Sequence, residues 1–149
     1  MTSTRAIQRF LAAPAIAIVG VSRSGRKFGN AAYRTLRDKG YRVYQINRLA
    51  ATVDGNECYR RIAELPETVE SVLIVVPKWE APDVIRDAAA AGAHTVWLQQ
   101  GAESESAIDL ATSLGLDVVA GECVLMYANP TGIHRLHRGV RRLLSAVTS

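Results

Sequence analysis

Short runs of apolar and β-branched residues alternate along the chain with stretches in which apolar positions recur at helical spacing. The runs fall at residues 15–20, 41–46, 71–76, 95–98 and 116–120. They are continuous and lack a polar alternation, which suits strands of a parallel sheet covered on both faces. Between them Phe28, Ala31, Ala32 and Leu36, then Ala81, Val84, Ile85 and Ala88, then Ala107, Ile108, Ala111 and Leu114 each align on one face of a helix. Gly40, Gly92 and Gly115 stand where left-handed C-terminal caps are wanted, and Pro82 suits a first helical turn. The pattern predicts one α/β domain over residues 1–149, a doubly wound Rossmann-type fold with a five-stranded parallel sheet and helices on both faces.

Residues 49–66 are less regular. Asp54-Gly55 suggests a turn, and residues 58–65 a short helix in place of a full crossover. A final helix at 133–147 places Ile133, Leu136, Val140, Leu143, Leu144 and Val147 on one stripe, suited to packing back on the domain or on a second copy in a homodimer. No repeat or linker divides the chain.

Charge sharpens this picture. Residues 1–48 carry ten basic side chains and one acid, residues 49–122 four basic and thirteen acidic, and residues 123–149 four arginines and no acid. A basic first third fits a phosphorylated ligand. Nucleic acid is not expected, because the basic residues are dispersed and no RNA-reading aromatic motif accompanies them. The longest apolar stretches fall well short of the roughly 20 residues of a membrane span, so no membrane partner is expected. Two distant cysteines, Cys58 and Cys123, and no secretory leader suit a reducing, cytoplasmic setting.

The chemistry concentrates in the first loop. Gly20 permits a tight turn and close backbone approach, Ser22 and Ser24 offer hydroxyls, and the following helix start presents free N–H groups at the positive end of its dipole. Arg23, Arg26 and Lys27 supply countercharge. The run is neither Gly-x-Gly-x-x-Gly nor a Walker A motif. After the second strand, Asn47 and Arg48 stand where an NAD enzyme usually has an acid; a basic residue there suits an extra ribose phosphate, which NADP and coenzyme A both carry.

Val19-Gly20-Val21-Ser22, the run from Gly40 to Asn47, Val75-Val76-Pro77, the run from Val96 to Gly101 and the run from Gly121 to Tyr127 together resemble the small bacterial CoA-binding proteins. That family is related to the CoA-binding domain of the succinyl-CoA synthetase α subunit. The resemblance implies coenzyme A or an acyl-CoA as cofactor, with pyrophosphate on Gly20, Ser22 and Arg23 and with Arg26 and Lys27 nearby. It further implies that Asn47 and Arg48 border the ribose phosphate, that Val75, Val76 and Pro77 flank the adenine, and that Trp97 to Gly101 form the next lip of the crevice. The Asn47-Arg48-Leu49 run departs from the family's frequent proline and lysine after the asparagine.

Cys123 follows the fifth run, where the ligand's thiol arm could pass; a packed cysteine is the commoner case. His134 and His137 have no metal-ligating companion in their helix, and no metal site is expected. No catalytic triad or paired-carboxylate motif is present, so the reading is non-catalytic binding of coenzyme A through its nucleotide end. An NADP-dependent oxidoreductase and a nucleotide-sensing regulatory module stay open beside it.

Overall fold

The computed structural model describes residues 4–128. Helix α1 (Thr4–Ala12) leads into β1 (Ala15–Val19), α2 (Phe28–Asp38) and β2 (Arg42–Ile46). A hairpin of β3 (Thr52–Val53) and β4 (Asn56–Tyr59) follows, then β5 (Ser71–Ile74), α3 (Ala81–Ala90), β6 (Thr95–Leu98), α4 (Glu105–Ser113), β7 (Asp117–Ala120) and α5 (Val124–Tyr127). The sheet has seven strands in the order β3-β4-β2-β1-β5-β6-β7, not the five expected. All neighbours pair in parallel except β3 with β4.

The extra strands arise from residues 49–66. Asp54-Gly55 does make the turn, with Asp54 at φ 56° and Gly55 at φ 76°. Cys58, however, lies in β4, and the short helix is a 3-10 turn at Ile62–Glu64. Gln45 explains how so short a hairpin stays in place. Its buried Nε2 donates to the carbonyls of Val53 and Glu57, both at 3.2 Å, tying the edge to β2.

Helices lie on both faces, as the apolar runs imply. One core layer joins Ala6, Ile7 and Phe10 of α1 and Ala32, Tyr33 and Leu36 of α2 to Ile16, Ile18, Leu73, Trp97 and Val119 of the sheet. The other joins α3 and α4 to Ala15, Ala17, Val72, Ile74, Val96 and Leu98. Successive residues of each strand thus serve opposite layers, so β1, and β5 and β6 after their first residue, are apolar throughout. Phe10 is fully buried edge-on to Trp97, and its carbonyl accepts from Ser71 Oγ at 2.8 Å, fixing α1. Burial of such a ring stabilises by about 1.5–3 kcal/mol.

Numbered among themselves, the parallel strands β1, β2, β4, β5, β6 and β7 run 3-2-1-4-5-6 across the sheet, the order of doubly wound nucleotide-binding folds. Connections diverge between β1 and β5, and ligands of such sheets bind outside the carboxyl ends of the strands at that point. The helix expected at 133–147 lies outside the described residues.

Candidate functional site at the carboxyl edge of the sheet

Gly20 opens the loop after β1 with φ 121°, a conformation that disfavours any side chain. A Cβ there would lie 2.2 Å from the Val75 carbonyl oxygen, so the loops after β1 and β5 touch backbone to backbone. Gly29 does the same for α2, since its Cβ would lie 2.6 Å from the Gly20 carbonyl oxygen. The two glycines together let the helix start, the first loop and β5 converge. Spacing alone concealed this, because Gly29 does not fall in a Gly-x-Gly-x-x-Gly register.

Asn30 shapes the loop between them, and sequence reading missed it. Its buried side chain accepts from the amides of Ser22 and Lys27, at 3.0 and 3.2 Å, and donates to the Ser22 carbonyl at 2.9 Å. Ser22 Oγ accepts from the Ser24 amide, and Ser24 Oγ from the Arg26 amide. These hydroxyls therefore hold the loop in shape rather than standing free. On its outer side, Arg34 Nη1 donates to the Gly25 carbonyl at 3.2 Å and to Asp54 at 3.0 Å, pinning the hairpin against the loop.

Asn47 ties the next loop to the first. Its Nδ2 donates to the Val21 carbonyl at 2.8 Å, its Oδ1 accepts from the Leu49 amide, and its own amide donates to the Tyr59 carbonyl at 2.8 Å. Arg23, Arg26, Lys27 and Arg48 are exposed and enter no ion pair among the described residues. The loop after β1 thus presents three exposed cations beside the amino end of α2 and the loop after β2 a fourth, an arrangement suited to phosphate.

After β5, Val75 and Val76 are half-buried on opposite core layers and Pro77 is exposed. Trp97 needs correction as part of the lip: its ring is fully buried, and Nε1 donates to the Glu122 carbonyl at 2.9 Å. Gln99 is likewise buried, accepting from the Val124 amide. The exposed part of this lip is Gln100 and Gly101, the latter at φ 95°. Cys123 is half-buried just before α5, with no hydrogen bond from its thiol to the helix start. A surface depression of about 250 Å³ lined by Arg9, His94, Leu114 and Asp117 opens at the opposite, amino edge of β6 and β7. None of the phosphate-suited residues reaches it.

Comparison with known proteins decides the family. The model of the CoA binding domain family matches residues 14–129, which span every one of these loops. This chain belongs to that family. Among curated relatives of this CoA binding domain, the α subunit of the ADP-forming acetate–CoA ligase II of Pyrococcus furiosus is 25% identical over 120 residues. The match covers 73% of this chain and 26% of that subunit, so the domain spans about a quarter of that relative. A hypothetical protein from Pyrococcus horikoshii superimposes with a TM-score of 0.77 at 28% identity, covering 84% of this chain and 89% of that one. The apo dinucleotide-forming acetyl-coenzyme A synthetase 1 of Candidatus Korarchaeum cryptofilum gives 0.66 at 30% identity, covering 75% and 27%. The shared fold therefore occurs both as most of one solved chain and within a longer synthetase.

Among the described residues no helix is long and apolar enough to cross a membrane.

Proposed function

We propose that this chain binds coenzyme A or an acyl-CoA through its nucleotide end, at the carboxyl edge of β1, β2 and β5, and performs no reaction on it. The observation that carries the reading is the Asn30-shaped loop, with Arg23, Arg26 and Lys27 exposed around it and Arg48 beside it, all without acidic partners among the described residues. A diphosphate facing the loop would meet the positive end of α2, and a ribose phosphate would meet Arg48. Gly20 and Val75 bring backbone close enough for the ligand to lie flat across the junction. The ligase activity of the longer relatives resides in proteins of which this domain is about a quarter. For these residues we assign binding alone, with Cys123 as the group nearest the path of the thiol arm.

Titration calorimetry on nucleotide-stripped protein tests this. Coenzyme A is expected to bind more tightly than dephospho-CoA, NADP or NAD. Arg26→Ala and Arg48→Ala should each weaken it by about five- to tenfold, between the worth of an exposed ion pair and that of a charge-assisted hydrogen bond. Loss of the 3′-phosphate should cost the Arg48→Ala variant less than the parent. A preference for NADP would turn the assignment to a reductase, and absence of binding by all four ligands would end it.

A further inference from the structure

Two tryptophans of this chain sit in opposite environments. Trp97 is fully buried, whereas Trp79 is 78% exposed, far more than is usual for so large an apolar ring. Trp79 lies on a tight turn in which the Glu80 amide donates to the Pro77 carbonyl at 2.9 Å, with Lys78 exposed beside it. That turn connects β5 to α3 and stands immediately after Val75, whose amide donates to Val19 at 2.8 Å and whose carbonyl abuts Gly20. The turn that carries Trp79 therefore follows the carboxyl end of β5, four residues after the Val75 that abuts Gly20. No ring contact of Trp79 occurs among the described residues.

We infer that Trp79 is the platform on which the purine of the bound nucleotide stacks, with Lys78 contributing charge toward its phosphates. This rests on the proposed binding of coenzyme A. A flat indole at the mouth of an α/β crevice offers a π-face to any planar base and little to a flexible pantetheine arm. Stacking would cover apolar surface that the free protein leaves in water, which accounts for an exposure otherwise unfavourable. Val75, Val76 and Pro77 then border the base at its edge, while Trp79 covers a face.

The test uses the full chain, whose only two tryptophans are these and can be excited selectively over its tyrosines. Coenzyme A and adenosine 3′,5′-bisphosphate should each quench the iodide-accessible fraction of the emission, and pantetheine should not. By calorimetry Trp79→Ala should weaken coenzyme A about ten- to a hundredfold, while Trp79→Phe stays within a few-fold of the parent. Because the ring is exposed, both variants should melt with the parent. Trp79→Ala binding coenzyme A as the parent does would overturn the inference, as would quenching by pantetheine alone, or a change of oligomeric state with affinity intact. A parent that binds no coenzyme A would refute the underlying assignment itself, a result distinct from a parent that binds and a variant that binds equally.

Discussion

Asn30 grips Ser22 from both sides, its Oδ1 accepting the Ser22 amide proton at 3.0 Å and its Nδ2 donating to the Ser22 carbonyl at 2.9 Å. One buried amide thus replaces the backbone pairing that a tight polar loop cannot provide for itself, and it leaves Arg23 and Arg26 pointing outward on a fixed frame. Removing it should be felt in both stability and binding. Asn30→Ala strands the amides of Ser22 and Lys27 and leaves the Ser22 carbonyl with the Gly25 amide alone, so urea unfolding should show a loss of about 1–3 kcal/mol. Asn30→Asp keeps the two accepted bonds, loses the donated one and adds a negative charge under the phosphates. It should unfold closer to the parent yet lose at least as much affinity for coenzyme A by calorimetry. An Asn30→Ala protein with parental affinity would show that the loop's shape is irrelevant to the ligand.

The glycines of the carboxyl edge separate into two classes. Gly20 combines a φ of 121° with a neighbour 2.2 Å from any added Cβ, and that neighbour is the Val75 backbone, which has no side-chain torsion to turn aside. Gly20→Ala should cost about 3 kcal/mol or more, strain and steric clash together, and push the β1 and β5 loops apart. Gly101 shares the left-handed backbone at φ 95°, but an added Cβ meets nothing within 4 Å. Gly101→Ala should cost only about 1 kcal/mol. Thermal unfolding of the two variants beside the parent checks the difference, and equal losses would contradict the close approach.

Glu67 provides a pH signature at the other end of the sheet. Its carboxylate accepts from Nε and Nη2 of Arg42, at 2.6 and 2.8 Å, and from the Tyr44 hydroxyl. The Arg42 bond, then the Tyr44 bond, hold the Glu67 carboxyl below its usual 4.5 despite partial burial. A carboxyl depressed in the folded state stabilises fully above its unfolded value and ceases to do so as pH falls through the lower folded value. Since the pair is partly solvated, the contribution is about 1 kcal/mol at most. Urea unfolding at pH 7, 5 and 3 should find Glu67→Gln less stable than the parent at the two higher values and nearly equal at the lowest. Arg42 starts β2, remote from the carboxyl edge, so coenzyme A affinity at pH 7 should be unchanged.

Strands covered on both faces and helices with one apolar stripe announce themselves by composition, which is why β1, β2, β5, β6 and β7 and the helices α2, α3 and α4 are legible in the sequence. The hairpin is not. Thr52–Val53 and Asn56–Tyr59 are too short for periodicity, and what holds them as strands is their backbone pairing with each other and with β2, reinforced by Gln45 reaching across. Helix α1 carried a readable signal in Ala6, Ile7 and Phe10, spaced to share a face, which the apolar run at its C-terminal side obscured. The site divides similarly. Basic residues after β1 and β2 were visible as charge, whereas Asn30, a polar residue inside a helix start, has meaning only once Ser22 folds back against it. Trp97 misled because its position at the end of β6 fits a lip, yet Phe10 and Glu122 draw its ring inward.

The two thiols give a last prediction, because the fold treats them differently. Cys58 is buried in β4, and burial pushes its thiol up against a smaller downward pull from the Asn47 backbone. A thiol that is both covered and less ionised reacts slowly. Cys123 is half-buried at the carboxyl edge just before α5, with access to solvent. A disulfide reagent should therefore label one thiol readily and the second only on unfolding, and Cys123→Ser should abolish the fast phase. Saturating S-methyl coenzyme A, which carries the pantetheine arm without a free thiol to consume the reagent, should slow the labelling of Cys123 if the arm crosses this edge, while adenosine 3′,5′-bisphosphate, which fills only the nucleotide part, should leave the rate as it was. Equal rates with and without the S-methyl analogue would mean that the arm leaves the crevice by another route and that Cys123 is a packing residue, with the nucleotide assignment untouched.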